Sequence, residues 1–197
     1  MFMKQLLSLA FLLISGTGLL AQTKLTPVDK SPMDMSYYPA NFPVLKIQNK
    51  ATEQPFARVT YSRPQKNGRK VMGELVEYGK VWRLGANEAT EIELYKDAQV
   101  GTIKIKKGRY TLYALPETSK EAGKENDKWT IIFNKEMDTW GAFQYDQKKD
   151  LCRIDVKSEK NTEMAEAFTM MWEKSSQGGA NLIFAWDDFK CTVPFVF

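Results

Sequence analysis

Short stretches in which apolar and polar residues alternate constrain the fold of this chain more than any other feature of its sequence. In ARVTY, the residues Ala57, Val59 and Tyr61 fall on one face of an extended segment. The pattern recurs in GTIKIKKGRYTLYALP, where Gly108 stands at a position suited to a hairpin turn. Further segments of this kind are TEIELYK, KWTIIFN, LCRIDV, ANLIFAWDD and KCTVPFVF. Because no amphipathic helices alternate with them, they predict an all-β domain, a single antiparallel β-sandwich that is jelly-roll-like.

One segment, NTEMAEAFTMMWEK, fits two periods. Helical spacing relates four of its apolar residues, which are Met164, Phe168, Met171 and Trp172. Phe168, Met170 and Trp172 also alternate as in a strand. The periodicity leaves both structures open.

The N-terminal residues predict export. Lys4 supplies the positive start of a signal peptide, residues 6–20 are mostly apolar, and Ala21 is a small residue suited to cleavage. A membrane-spanning helix is the alternative, but the apolar run is shorter than the roughly 20 residues that cross a bilayer and is interrupted by SGTG. We expect a signal peptide over residues 1–21, with cleavage near Ala21, and a periplasmic or extracellular protein that does not span the membrane.

The segment that follows the signal peptide shows no sustained period. Residues 22–54 contain the proline-rich run TPVDKSPMDMSYYPANFP, and we expect them to form an extended N-terminal arm that lies on the domain. Residues 55–197 are then the β-sandwich domain. The chain without its signal peptide is long enough to bury an ordinary core.

Histidine is absent from the sequence, and this excludes several kinds of chemistry. A single chain without imidazole has neither a serine–histidine catalytic pair nor a histidine-ligated metal centre. The sequence also has no aspartate-rich loop with the spacing of an EF-hand. We therefore predict no metal and no cofactor, and we assign no catalytic residue.

The charges argue against nucleic acid as a partner. The chain has 28 basic and 24 acidic residues, which give a net charge of +4. The two signs are interleaved, whereas nucleic-acid binding requires a clustered basic face. We expect no nucleic-acid partner.

The two cysteines, Cys152 and Cys191, are expected to face the core. In a strand, Cys152 shares a face with Ile154 and Val156, and Cys191 shares a face with Val193. An oxidising compartment permits a disulfide between them, but two buried thiols fit the pattern equally well. The sequence leaves both arrangements open.

The stretch SRPQKNGRKVMGELVEYGKVWRLGANEAT, residues 62–90, contains the residues that we assign to a site. Its glycines, Pro64 and the Asn67-Gly68 turn predict a rigid loop surface at one end of the sandwich, where loops carry function. Arginine matches carboxylate or phosphate groups, and flat aromatic rings stack on sugars or aromatic ligands. The predicted ligand-binding residues are Arg63, Arg69, Tyr78, Trp82, Arg83, Asn87 and Glu88. The predicted ligand is an unknown anionic small molecule or a glycan.

A structural role is the alternative for the same residues. Glu88 and one arginine would then form a buried, hydrogen-bonded ion pair that holds the loops in place. The sequence does not decide between a binding site and such a pair.

The chain resembles the DUF2911 family (domain of unknown function 2911) of secreted bacterial proteins. Matching blocks occur in order from about residue 55 to the C-terminus, among them YSRP, VWRLGANEAT, KKGRYTLYALP, KWTIIFNK, TWGAF, KDLCRIDV and AWDDFKCTVPF. The resemblance implies an exported protein with a single β-sandwich domain, favours a strand around Phe168, and implies no reaction. Two departures are Glu77, where such proteins often have proline, and a longer loop over residues 119–127.

Three functions are compatible with the sequence. The first is a ligand-binding module of the periplasm or cell surface that uses the residues named above. The second is a carboxylate-based hydrolase such as a glycosidase, with Glu88 and either Glu74 or Glu77 as acid and base. The third is a structural or assembly component of the cell envelope, which would bind an envelope protein through the arm or an exposed strand edge. We favour the first.

Overall fold

The computed structural model describes residues 24–117, 128–176 and 178–197 of the chain. The predicted signal peptide and the longer loop over residues 119–127 lie outside the described residues. The all-β prediction is confirmed, and no helix in the described part of the chain is long and apolar enough to cross a membrane. The elements are β1 (Met33–Tyr38), α1 (Phe42–Ile47), β2 (Ala57–Ser62), β3 (Glu91–Leu94), β4 (Ala98–Val100), β5 (Ile103–Ile105), β6 (Gly108–Pro116), β7 (Lys128–Asn134), a 3-10 helix (Gln147–Lys149), β8 (Asp150–Lys174) and β9 (Ala180–Val196).

The nine strands of the described residues form one antiparallel sheet. Their order across the sheet is β1-β2-β3-β6-β7-β8-β9-β4-β5. The sheet is open, with β1 and β5 at its edges, so the predicted sandwich or jelly-roll arrangement is not confirmed. Alternation explains the strands themselves. In β2, for example, Ala57, Val59 and Tyr61 are buried, and Arg58 and Thr60 are partly exposed.

The segment with two possible periods is a strand. It lies in the second half of β8, where Phe168, Met170 and Trp172 are buried and Met164 is 68 % exposed. A helix would have turned Met164 and Phe168 to the same face. The first part of β8 pairs with β7 and the later part pairs with β9, so this long strand connects the two halves of the sheet.

The sheet bends back on itself, so that strands far apart in the sheet order share one core. Phe168 N donates to Pro64 O (2.9 Å), and Lys66 N donates to Glu166 O (2.9 Å). The Tyr61 ring meets the Phe168 ring edge-on with centroids 5.8 Å apart, although three strands separate β2 from β8. Removal of these apolar faces from water is the main force that stabilises the bend.

The predicted N-terminal arm contains regular structure. Residues 33–38 form β1, which pairs with β2 at the edge of the sheet, and Phe42–Ile47 forms α1. The Tyr38 ring stacks on the Phe197 ring with 5.6 Å between centroids, and the Tyr38 hydroxyl donates to Gly179 O (2.9 Å). These contacts hold the arm against the C-terminal strand.

The cysteines face inward, as predicted, and no disulfide joins them. Cys191 is buried and Cys152 is partly buried. Burial raises the pKa of the Cys152 thiol to about 11. This thiol therefore stays protonated at neutral pH.

Candidate functional site

Residues 83–87, in the VWRLGANEAT motif, form a loop in which every backbone carbonyl accepts a hydrogen bond. Thr90 donates twice, from its backbone N to Arg83 O (3.0 Å) and from its Oγ1 to Leu84 O (2.6 Å). The other three bonds are donated by Trp82 Nε1 to Gly85 O (3.2 Å), by Ser62 Oγ to Ala86 O, and by Gly141 N to Asn87 O (2.8 Å). A loop whose acceptors are all satisfied by the protein has little freedom to move.

The same loop contains strained backbone. Leu84 has a φ of 53° and Asn87 a φ of 58°, in the left-handed region that residues other than glycine rarely adopt. Gly85 is required at its position, because a Cβ there would lie 2.8 Å from Ser62 Oγ. Strain of this kind costs about 1–3 kcal/mol per residue and clusters at functional sites. The hydrogen bonds hold the loop in a conformation that its residues would not adopt alone.

Trp82 lies in the main core and is only 6 % exposed. Its indole stacks on Trp186 with 6.1 Å between ring centroids and meets Phe168 edge-on at 5.1 Å. A ligand has no access to this ring. Trp82 therefore supports the loop from beneath, and it does not form the stacking wall expected from the sequence.

Arg63 and Arg69 are occupied by groups of the protein itself. Arg63 forms an ion pair with Asp34 (3.1 Å) on β1 and donates to Thr169 Oγ1 (2.9 Å) on β8. Arg69 donates to two backbone carbonyl oxygens of the turn that precedes it. The Arg63 bonds join the end of β2 to β1 and β8, and the Arg69 bonds close the turn that follows β2.

Tyr78 and Glu88 lie at different ends of β6. Gly79 N donates to Pro116 O (2.8 Å) at the C-terminal end of this strand, whereas Leu112 N donates to Thr90 O (2.7 Å). Leu112 and Pro116 are four residues apart on β6, a distance of about 13 Å along a strand. Tyr78 is 46 % exposed, but the structure does not bring it onto the surface that bears Glu88.

Arg83 and Glu88 do not form the buried ion pair considered above. Glu88 is exposed, and the ion pairs and hydrogen bonds of the described residues include none between these two side chains. Arg83 is half-buried, and its fully buried Nε has no hydrogen-bond partner among the described residues. Burial lowers the pKa of the Arg83 guanidinium. Asn87 differs from both, since its amide donates to Asp29 Oδ1 (3.0 Å).

Two exposed aromatic residues, which the sequence pattern did not assign to the site, lie beside the 83–87 loop. Trp140 is 62 % exposed and Phe143 is 85 % exposed, in the loop of residues 135–149 between β7 and β8. Both belong to the TWGAF block. The signal that could have identified them is a pair of aromatic residues around a glycine, outside any alternating segment.

The 135–149 loop is held firmly against its surroundings. Ala89 N donates to Thr139 O (2.9 Å), and the hydroxyls of Tyr113 and Thr139 are hydrogen-bonded at 3.0 Å. A Cβ at Gly141 would lie 2.7 Å from the Phe143 ring, so the ring packs directly on the glycine backbone. The loop backbone that bears Trp140 and the Phe143 ring are therefore preorganised, which reduces the entropic cost of binding.

Glu88 and Trp140 are direct neighbours across the two loops. They form an antiparallel bridge, so their side chains project on the same side with Cβ atoms about 4.5–5.5 Å apart. Both residues are exposed. A carboxylate and an indole face therefore border one surface.

A cleft of about 140 Å³ lies beside this pair. Its lining residues are Met33, Thr60, Glu88, Ala89, Glu91, Asp138 and Thr139. Arg109 donates to Glu91 Oε2 (2.6 Å) and also pairs with Asp138, and these bonds raise the pKa of Arg109. Since Arg109 is one cation against three carboxylates, the cleft carries net negative charge. No group of three or more His, Cys, Asp or Glu side chains within the described residues is placed to hold a metal ion.

A family model for a protein of unknown function, DUF2911, matches residues 44–195, which is most of the sequence. The chain belongs to the DUF2911 family. Comparison with curated proteins and with solved structures found no match. The DUF2911 region includes both loops of the site, and among the residues that line the cleft Met33 lies before it.

Proposed function

We propose that this DUF2911 protein is an exported carbohydrate-binding module that holds a sugar ring on the face of Trp140 beside the carboxylate of Glu88. The observation that carries the proposal is the bridge between these two exposed residues. Neither residue is used to build the fold in the way that Trp82 and Arg63 are. Both stand on loops whose backbone is fixed by hydrogen bonds.

The two groups complement the two surfaces of a sugar. An indole ring offers a flat apolar face to the C–H groups of a sugar ring. A carboxylate accepts hydrogen bonds from several hydroxyl groups at once. The hydroxyls of Thr60 and Thr139 in the adjacent cleft add further donors and acceptors.

The size and charge of the cleft restrict the kinds of ligand that it can bind. Pockets that enclose a small molecule have volumes of about 300–1,000 Å³, and this cleft is smaller. We therefore expect a surface site for a few units of a longer glycan. Net negative charge favours hydroxyl groups over an anionic group at this position.

The proposed location is the periplasm or the cell surface. Residues 1–21 have the charge, apolar run and small terminal residue of a signal peptide, which supports export. Contact between the Tyr61 and Phe168 rings supports a sandwich-like architecture, in which the two halves of the bent sheet face each other.

A glycosidase that uses Glu88 with Glu74 or Glu77 has less support. Glu77 forms an ion pair with Lys80 (2.5 Å), and neither Glu74 nor Glu77 lines the cleft beside Glu88. Hydrolysis requires a second carboxyl group across the scissile bond from the first. We therefore favour binding without hydrolysis.

The test is an array of neutral and acidic oligosaccharides probed with the purified protein, followed by calorimetry on each glycan that binds. Trp140→Ala should weaken binding by at least about tenfold, because removal of a central aromatic contact costs about 2 kcal/mol or more. Tyr78→Ala removes an exposed aromatic at the far end of β6 and serves as the matched control.

Two results would contradict the proposal. One is the absence of binding across the array. The other is equal affinity of the wild type and Trp140→Ala. Association with an envelope protein in place of any glycan would instead favour the structural role in the cell envelope.

A further inference from the structure

Arg83 emerges on the face of the sheet that also carries the loop with Trp140. Trp82 points into the main core, so the residues on either side of it in this extended piece point the other way. Val81 packs on a second, smaller hydrophobic cluster formed by Ala89, Tyr113 and Ile132. Ala142, from the 135–149 loop, packs on the same cluster. Arg83 and the loop with Trp140 therefore lie over one face.

The Arg83 guanidinium is a half-buried cation for which the described residues supply no counter-ion. Its Nε is fully buried and unpaired, and the ion pairs of the described residues do not include it. Arg69 donates to two backbone carbonyls. The remaining arginines have carboxylate partners, which are Glu93 for Arg58 (2.6 Å), Asp34 for Arg63 (3.1 Å), Glu91 for Arg109 (2.6 Å) and Asp150 for Arg153 (2.8 Å). Burial lowers the pKa of Arg83, and no carboxylate of the described residues offsets this effect. A charge withdrawn from water in this way destabilises the fold unless something pairs with it.

The loop that bears Arg83 does not depend on the guanidinium. The five hydrogen bonds to the carbonyls of residues 83–87 are all donated by other groups. The left-handed conformation of Leu84 directly after Arg83 is thus held by Thr90 and Ser62, among others. The Arg83 side chain forms no hydrogen bond or ion pair with the described residues that would hold this strained loop.

We propose that Arg83 binds a carboxylate of the glycan, which makes the ligand an acidic oligosaccharide or polysaccharide that contains uronic acid. The inference rests on the proposed carbohydrate-binding function and adds the class of ligand. The two terminal nitrogens of a planar guanidinium can donate two parallel hydrogen bonds to a carboxylate, and a ligand would contact Arg83 through them because Nε is buried. The carboxylates of the cleft repel the same group, so attraction at Arg83 and repulsion near Glu88 together orient the sugar chain.

The test compares oligosaccharides that differ only in the oxidation state of C6, namely galacturonate with galactose oligomers and glucuronate with glucose oligomers. The wild type should bind the acidic member of a pair at least about tenfold more tightly, as one charge-assisted hydrogen-bonded pair predicts. Arg83→Gln should reduce this ratio to about one, and Arg83→Lys should retain part of it because the charge is kept. Trp140→Ala should weaken binding of both members.

Equal affinity of the wild type for the two members of each pair would overturn the proposal. An Arg83→Gln variant that keeps the tenfold preference would overturn it as well. In that case the preference would arise from another group.

An NMR titration tests Arg83 even if no oligosaccharide binds. The Nε–Hε resonance of Arg83, identified by its absence in Arg83→Lys, should shift in a saturable manner on addition of acetate and should not shift with methyl acetate. A saturable shift without binding of any glycan would refute the carbohydrate function and leave an anion site at Arg83. No saturable shift with acetate would refute the anion site itself.

Discussion

Replacement of Arg83 by methionine should leave the protein at least as stable as the wild type. Methionine fills the space of the arginine methylenes and removes the half-buried charge. A buried polar group without a partner costs about 1–3 kcal/mol, and the buried Nε of Arg83 is such a group. We expect the free energy of unfolding to stay the same or to rise by up to about 2 kcal/mol. Glu88→Ala should change it by at most about 0.5 kcal/mol, because Glu88 is exposed.

The assay is unfolding in guanidinium chloride followed by tryptophan fluorescence, because four of the tryptophans are buried in the core, Trp82, Trp129, Trp172 and Trp186. Equal slopes in all variants would allow the midpoints to be compared as stabilities. Lys66→Met is a positive control. It leaves Asp187 without its ion-pair partner at a site where both side chains are 14 % exposed, and it should cost about 3 kcal/mol.

A loss of about 3–5 kcal/mol in Arg83→Met would refute this reasoning, since a cost of that size is the signature of a broken buried ion pair. The residues of the VWRLGANEAT motif would then be structural. Arg83 would then have a structural partner and would not be available for a ligand carboxylate. Unchanged or increased stability would show that folding does not require this arginine, as expected for a residue that acts on a ligand.

Two further predictions concern the core and its pH dependence. Gly179→Ala should cost about 2–5 kcal/mol in chemical denaturation, because Gly179 has a φ of 81° and an added Cβ would lie 2.1 Å from Phe195 O. Gly101→Ala, with a φ of 60° and no atom within 4 Å of the added Cβ, should cost only about 1–2 kcal/mol, and equal losses would contradict the packing argument. Burial raises the pKa of Tyr61 from its ordinary 10.0 to about 12, so the folded state keeps this proton at pH values where the unfolded chain loses it. The stability of the wild type should therefore fall by about 2 kcal/mol more than that of Tyr61→Phe as the pH rises from 10.0 to about 12. Parallel pH profiles of the two proteins would disprove the raised pKa of Tyr61.

Much of the fold follows from local patterns. A strand places successive side chains on opposite faces, so alternation in ARVTY or KWTIIFN predicts both the strand and its buried residues. The inward orientation of Cys152 and Cys191 follows by the same argument. The segment around Phe168 differs, because its helical and strand periods coincide and packing between the halves of the bent sheet selects the strand.

In the candidate site, too, local patterns predict some features and tertiary packing decides the others. Trp82 and Trp140 are both tryptophans near glycines, yet the first lies between the faces of the bent sheet and the second lies outside it. The difference depends on which distant strands come together. The sequence pattern therefore predicted an exposed stacking surface at Trp82, whereas the exposed aromatic rings of the structure are those of Trp140 and Phe143.

The sequence by itself determined the all-β class, the family and the absence of imidazole chemistry, because composition, local alternation and ordered motifs require no knowledge of distances. Only the tertiary structure decided that Arg83 has no counter-ion in the described part of the chain and that Glu88 stands opposite Trp140. The ion pairing of a charged side chain depends on separations of a few ångströms between residues that are remote along the chain. Such separations are set by the way the sheet bends and by the loops that pack on it.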